Sequence, residues 1–508
     1  MDPLSLLDEA CRIRKGPAVV CGRARLGYPG LRDLADRIGR DLEAQGARPG
    51  DRVAALFPNC HLYLAVYFAA LLRRLVLVPL NVRLSPREMH AILDHSGARL
   101  LIGEPALAAP LLRRPAAAGE GWMAGPTGVS GAGAEAEAPT GAAHLYYTSG
   151  TTGAPKGVIL TAANLRAHVD MTLRELEFRT ADAWLHAAPM FHLADAWAVW
   201  TVTASGGTHV LLPRFDPAGA LDLMDEAGVT ITNLVPTMLR ALLAEARRRG
   251  RAPRSLRLLL SGGAPIAPSL VARIGEGLGC GYAQTYGLTE TSPFLTFSLL
   301  GEAQRLLPPE AKLRLLARTG RPARGVELRV VHPPGVESFE DVPADDRAVG
   351  EVVARGPTVT PGYWRDPEAT RAAFLGGWFH TGDLGTVDAH GFLNLVDRLK
   401  DVILTGGETV YSTEVENALY EHPEVREAAV FGVPDDTWGE SVRAAVVPER
   451  RGGISAGDLV AFCRARLAGY KCPHGVDFLD ALPRTGSGKI DKKVLREPFW
   501  RGRSRQIN

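Results

Sequence analysis

The chain has 508 residues, 46% of them apolar, and a formal net charge of +2. That length suggests two or more domains, and the apolar share is typical of a globular protein. With so little net charge and only short, scattered basic patches, nucleic acid is not an expected partner.

The N-terminal "MDPLSLLDEACRIRKG" carries acids where a secretory signal would carry basic residues, so it does not read as one. Cys11, Cys21, Cys60, Cys280, Cys463 and Cys472 are dispersed without a C-x-x-C pair. This spacing points to reduced thiols and a cytoplasmic protein, not to a zinc site or disulfide framework. Leu31 to Ala47 has helical apolar spacing, while "RVAALF", "LVLVPL" and "ARLLIG" are short strand-type runs. The longest apolar run, Leu62 to Leu72, stops at Arg73-Arg74. It is well short of the roughly 18–20 residues that a membrane span needs, and predicts a buried helix. Residues 104–143, rich in Ala, Gly and Pro, read as a surface connection with little structure.

A second alternation of strand-like and helical segments runs from Ala181 to Gly281, and both alternations predict α/β architecture with mostly parallel sheets. From Gly320 to Leu395 short strands and turns suggest a β subdomain. After Asp397 the helix-like "STEVENALYEHPEV" and the strands that follow read as a separate, small α+β unit.

Between Leu145 and Val158 the chain reads "LYYTSGTTGAPKGV". Glycines let backbone approach an anion, hydroxyls donate to its oxygens, and Lys156 adds charge. The stretch is not a Walker A loop, because Pro155 stands five residues after Gly150 and Gly157 follows Lys156. Four further segments share the chain with it: "QTYGLTETSP" (Gln284 to Pro293), "GWFHTGDLG" (Gly377 to Gly385), "DRLKDVILTGGE" (Asp397 to Glu408) and "PRTGSGKI" (Pro483 to Ile490).

In this order and at these distances, the five segments resemble those of adenylate-forming enzymes, in the acyl-CoA synthetase and aryl-CoA ligase branch. The resemblance covers nearly the whole chain. It implies a large N-terminal adenylation core, 1–399, with parallel sheets and a β subdomain. A small mobile C-terminal lid, 400–508, would turn about a hinge at Lys400. It also implies the reaction: a carboxylic acid attacks the α-phosphate of ATP, pyrophosphate leaves, and the thiol of coenzyme A displaces AMP from the acyl-adenylate. Cations and donors must offset the repulsion between two anions in the first step.

The same resemblance assigns residues. Thr148, Ser149, Gly150, Thr151, Thr152 and Gly153 would wrap the leaving phosphates, with Lys156 as counter-charge. Glu290 would hold Mg²⁺, with Thr289 beside it. Tyr286 would stack on adenine, with Gln284, Thr285, Gly263 and Ala264 around the base. Asp383 would take the ribose hydroxyls and Arg398 would lie near ribose or α-phosphate. Lys489 would bond the carboxylate and α-phosphate during adenylation, and Gly406-Gly407 would line the pantetheine passage. Taken singly, Glu290 would be an ordinary helix-start acid, Tyr286 a core residue and Asp383 a turn aspartate.

In "PMFHLADAWAVW" (Pro189 to Trp200), His192 occupies the gate beside the acid, and Asp195 and Trp197 are candidates to face it. These two favour a short, polar-substituted aromatic acid over a fatty one, while both classes stay open. Thr409 stands where many relatives have Asn, which makes the thioester step less secure than adenylation. The rival readings are an adenylating enzyme with another acceptor or substrate (an amine, a carrier-protein thiol, nitrite) and an inactive binding protein. A homodimer is left open.

Overall fold

The computed structural model describes residues 5–113, 116–119, 121–129, 140–148, 155–263, 266, 268–333, 339–485 and 490–502. The chain forms two compact units: Met1–Leu328 with Ala354–Phe379, and Arg329–Val353 with His380–Asn508. This division differs from a single cut at Lys400. Residues 329–353 and 380–399 group with the C-terminal residues, and the Asp397 carboxylate accepts from the backbone of Ser412 beyond the expected hinge.

The first unit holds two α/β sheets. In the seven-stranded sheet, Leu100–Gly103, Arg52–Leu56, Val76–Pro79 and Ala142–Thr148 run parallel, with antiparallel strands at both edges. One edge is Ala116–Gly119 with Trp122–Pro126. The Ala/Gly/Pro stretch expected to be unstructured therefore supplies two strands. Buried Trp122 and Ala124 anchor that hairpin to the sheet. The helix His61–Leu72 is apolar on every side, and Leu62 to Leu71 are all buried, as a helix without a polar face requires. No described helix is long and apolar enough to cross a membrane.

The nine-stranded sheet places Gly281–Tyr286, Leu258–Gly262, Ile231–Asn233, Ala183–His186, Thr208–Leu211 and Val19–Cys21 side by side in parallel. Val19–Cys21 joins across a long sequence gap, which no local pattern announces. One face packs against the helices Pro217–Ala227, Pro236–Arg249 and Pro268–Leu278 through Leu221, Leu239, Leu259 and Ile274. The helix Leu193–Ser205 is buried along nearly its whole length.

In the second unit, Val425–Asp435 and Gly439–Pro448 form a long antiparallel pair. Ile403–Thr405 and Gly475–Phe478 pair with Gly439–Pro448, while Glu408–Val410 pairs with Ile403–Thr405. Val415, Leu419, Val430 and Leu459 close its core, so the expected small α+β unit is present.

Three histidines buried in the first unit make its stability pH-dependent. Burial pulls His144 and His168 down to about 3, and burial with the neighbouring His186 holds His209 well below the ordinary range. The unfolded chain binds protons at these sites below about pH 6.5 while the folded chain does not, so stability falls as pH drops from there towards 3. At pH 5 His144 and His168 each cost about 2 kcal/mol. Urea unfolding should show a lower midpoint at pH 5 than at pH 7.5, with the gap narrowed in His168→Leu. Equal midpoints in the unmutated protein would contradict this.

Candidate active site

The glycine- and threonine-rich loop is the connection of a β-hairpin. Thr148 ends one strand and pairs with Lys156, which opens the next. Ser149, Gly150, Thr151, Thr152 and Gly153 lie outside the described residues, as do Ala264 and Lys489. The segment 357–365 braces the hairpin base: Trp364 N donates to Gly157 O at 2.7 Å and Ile159 N to Gly362 O at 3.1 Å. Gly157 lets this happen, since a Cβ there would lie 3.1 Å from the Tyr147 ring and 3.2 Å from Trp364.

Tyr363 connects the hairpin to Glu290. The Lys156 ammonium lies 5.2 Å from the centre of its ring, and its hydroxyl donates to Glu290 Oε1 at 3.0 Å. Burial and the Glu290 charge push the Tyr363 phenol well up, so it stays a donor. Glu290 sits in a single 3₁₀ turn, Thr289–Thr291, with only 9% of its surface exposed, and its carbonyl accepts from Thr360 N at 2.7 Å. Gly287 permits the tight return of the chain: a Cβ there would stand 1.8 Å from Pro293 O. Sequence reasoning missed Tyr363, because its role depends on contacts with residues some 70 and 200 positions away.

Magnesium commonly takes one or two carboxylates and fills its remaining positions with water and substrate phosphate. Glu290, which accepts from the Tyr363 hydroxyl beside the hairpin that carries Lys156, suits that mode. Among the described residues no cluster of three or more His, Cys, Asp or Glu forms a cage of protein ligands.

Gly262 and Thr285 are partners in adjacent parallel strands, so Gly263 and Tyr286 sit together at the carboxyl ends of the strands. In parallel α/β sheets ligands bind at that edge. Gly263 has φ +81°, which suits glycine. Gln284 and Thr285 are turned to internal duties: Gln284 Oε1 accepts from the Tyr282 hydroxyl, and Thr285 Oγ1 donates to Ser261 O at 3.2 Å. Their side chains thus brace the sheet next to the edge where Gly263 and Tyr286 lie.

His192 caps the helix Leu193–Ser205, its Nδ1 accepting from Ala194 N at 3.2 Å, which leaves the proton of the neutral ring on Nε2. The turn before it is pinned from elsewhere. Asn59 donates to the carbonyls of His186 and Ala188 and accepts from Met190 N, and Tyr67 donates to Met190 O at 2.6 Å. Asn59 and Tyr67 were not foreseen, for they lie more than 120 positions upstream of the turn they hold.

Asp195 and Trp197 both lie inside the protein, and the reading of Asp195 requires a correction. Both are fully buried. Asp195 accepts from Trp184 Nε1 at 3.3 Å and from His186 Nδ1 at 2.6 Å. The chain continues from His186 Nε2 to His209 Nδ1 at 3.0 Å and from His209 Nε2 to Thr203 Oγ1 at 2.9 Å. The carboxylate is engaged by the protein's own donors, not turned to a substrate substituent. Trp197 packs against Trp184 at 4.8 Å, Phe294 at 5.0 Å and His168 at 5.4 Å, and its indole donates to Ala194 O.

In the second unit, Asp383 and Arg398 are direct partners on antiparallel strands, with Arg398 Nε 3.3 Å from Asp383 Oδ1. Gly382, at φ +69°, makes the bend, and Glu351 braces it: Oε1 accepts from Gly382 N at 3.1 Å while Oε2 meets His380 Nδ1 at 2.8 Å. Glu351 too went unforeseen. Lys400 lies in the turn Leu399–Asp401, where burial lowers its pKa. Gly406 and Gly407, both at positive φ, turn the hairpin of Ile403–Thr405 and Glu408–Val410; a Cβ on Gly406 would stand 2.7 Å from the Trp438 ring.

Residues 8–364 match the AMP-binding enzyme family, and residues 414–489 match its C-terminal domain. The chain belongs to the AMP-binding enzyme family. It is 41% identical to a feruloyl-CoA synthase of Amycolatopsis over 504 residues, 96% of this chain and 97% of the relative. It is 37% identical to the fatty acid–[acyl-carrier-protein] ligase ScoC of Streptomyces coeruleorubidus, over 97% and 95% of the two chains. Among solved structures it matches o-succinylbenzoate CoA synthetase (MenE) of Bacillus subtilis with its acyl-adenylate, at TM-score 0.83, 30% identity and 99% coverage of both chains. The same synthetase has also been solved with ATP and magnesium ion. The expected α/β fold and the class of AMP-forming acid–thiol ligase are thus borne out.

Asp383 gives a direct check on nucleotide binding. Asp383→Ala should raise the KM for ATP by about ten- to a hundredfold, the loss of a charged hydrogen bond worth about 1.5–3 kcal/mol. Initial rates over a range of ATP concentrations measure it, and an unchanged KM would remove Asp383 from the nucleotide site.

Proposed function

We propose that the chain is an ATP-dependent acid–CoA ligase whose acid is short and aromatic. The carboxylate attacks the α-phosphate, and Lys156 together with the hairpin amides offsets charge on the departing pyrophosphate. Mg²⁺, when bound, supplies positive charge to the phosphate oxygens, with Glu290 and water as its holders. Asp383 accepts from the ribose hydroxyls, and Arg398 steadies that carboxylate from the opposite strand. Tyr286 offers its ring to adenine at the strand edge. His192, with its proton on Nε2, donates towards the acid's carboxylate and orients it. Lys489 serves adenylation, and Gly406-Gly407, which carry no side chain, admit the pantetheine arm.

The observation that carries the choice of acid is the packing behind His192. Trp184, Trp197, Phe294 and His168 fill that layer ring against ring, occupying volume that a long acyl tail would need. The high identity to a feruloyl-CoA synthase supports the same reading. A carrier-protein thiol is the second reading for the acceptor, favoured by the likeness to ScoC and by Thr409 in the "GGET" turn. Pyrophosphate release across benzoic, cinnamic, medium-chain and long-chain acids tests the acid. Higher kcat/KM for cinnamic-type acids is expected, and a preference for long-chain acids would reverse the assignment.

A further inference from the structure

In the proposed reaction, different sheets of the first unit hold the acid and the phosphates. The turn that ends at His192 follows Ala183–His186 of the nine-stranded sheet, whereas Thr148 ends a strand of the seven-stranded sheet. The helix His61–Leu72 packs against both: against Val19–Cys21 of the first, and against Arg52–Leu56 and Val76–Pro79 of the second. Tyr67, fully buried in the middle of that helix, joins the two sides. Its hydroxyl donates to Met190 O at 2.6 Å, two residues before His192, and lies 3.0 Å from the Tyr146 hydroxyl. A phenol has one proton to give. With the Tyr67 proton on Met190 O, the Tyr146 hydroxyl is the donor in the second bond. Tyr146 stands two residues before Thr148, so both side chains leave the strand on one face.

A hydrogen-bonded path thus runs from the turn before His192, through Tyr67, to the strand that carries Thr148. Burial pushes both phenols up, so both keep their protons. Rings enclose the path. His144, on the same strand as Tyr146, stacks on Trp200 of the helix Leu193–Ser205 at 5.4 Å and meets the Tyr67 and Tyr146 rings edge-on at 5.6 Å each. Trp200 in turn meets Tyr67 edge-on at 6.0 Å, and Tyr63 lies 5.1 Å from it. Side chains packed this closely have little room to adjust, so a displacement at one sheet is passed to the other.

We propose that Tyr67 and Tyr146 set the distance between the acid's carboxylate and the α-phosphate, as positioning residues for adenylation but not for thioester formation. The inference rests on the acid–CoA ligase reading, which puts the acid beside His192 and the phosphates beside Thr148. Adenylation brings two separately held groups together, and a misplacement of about 1 Å can cost about a hundredfold in rate. Thioester formation starts from an acyl-adenylate in which those groups are already bonded, so it does not depend on the link.

The test measures pyrophosphate release from ATP and acid, and thioester formation from supplied acyl-adenylate and CoA, in Tyr67→Phe, Tyr146→Phe and the double variant. Tyr146→Phe is the milder change, because the Tyr67 proton stays on Met190 O. The kcat of pyrophosphate release should fall about tenfold in Tyr67→Phe and about threefold in Tyr146→Phe. The KM values for ATP and acid, and the rate of thioester formation, should stay within about twofold of the unmutated enzyme. The double variant should be no slower than Tyr67→Phe, since either substitution breaks the same path. Equal losses in both half-reactions, no loss in either, or losses that multiply in the double variant would overturn the link and leave the ligase reading intact. An unmutated enzyme inactive in both assays would overturn that reading and the link together.

Discussion

Lys489→Ala is expected to lose pyrophosphate release by about a thousandfold while keeping its conversion of supplied acyl-adenylate and CoA to thioester. An ammonium placed between the attacking carboxylate and the α-phosphate offsets repulsion in the ground state and the charge that develops at phosphorus. Removing one such preorganised donor typically costs 10²–10³ in rate, and a full charge stands at the upper end. The second half-reaction begins after the two anions have joined, so the same ammonium has no repulsion left to offset. Unequal effects in the two assays are therefore the signature, read by pyrophosphate-release kinetics for the first and thioester absorbance for the second. Equal loss in both would make Lys489 a residue of the fold and not of the chemistry.

Asp195→Ala should act in the opposite manner, through stability. The substitution strips both partners from Trp184 Nε1 and His186 Nδ1 inside a region without water access. Leaving a buried donor without its acceptor costs about 1–3 kcal/mol, and here two donors lose theirs. For a protein of this size, that lowers the melting temperature by several degrees. Asp195→Asn should cost less. Its carbonyl still accepts from Trp184, and its amide can donate to His186 Nδ1 if both histidines reverse their tautomers. His186 Nε2–H then donates to His209 Nδ1, and His209 Nε2–H to Thr203 Oγ1. Differential scanning calorimetry on the three proteins checks the order. A stable Asp195→Ala protein with altered acid preference would return Asp195 to the substrate.

Local chemistry was legible in the sequence where it depends on neighbours in the chain. The all-apolar run ending at Arg73-Arg74 forms the buried helix it predicted. The strands on either side of the Ser/Thr/Gly stretch pair with each other, with Thr148 opposite Lys156. Asp383 and Arg398, read from two separate motifs, meet across one strand pair. What could not be read depends on long-range packing. Tyr363 gains its role only when the 357–365 segment crosses the hairpin, and Asn59 only when it reaches the turn before His192. The reading of Asp195 failed for a related reason. Its place one turn into the gate helix suggested the acid, but helix periodicity does not say that His186 and His209 stand on the strands behind it.

Accurate-mass analysis of the products formed from ATP, Mg²⁺, CoA and a hydroxycinnamic acid tests the central claim most directly. The account predicts acyl-CoA, AMP and pyrophosphate in equal amounts, with all three absent when the acid is left out. Pyrophosphate and AMP accumulating with no thioester, or no ATP turnover with any acid, would contradict it.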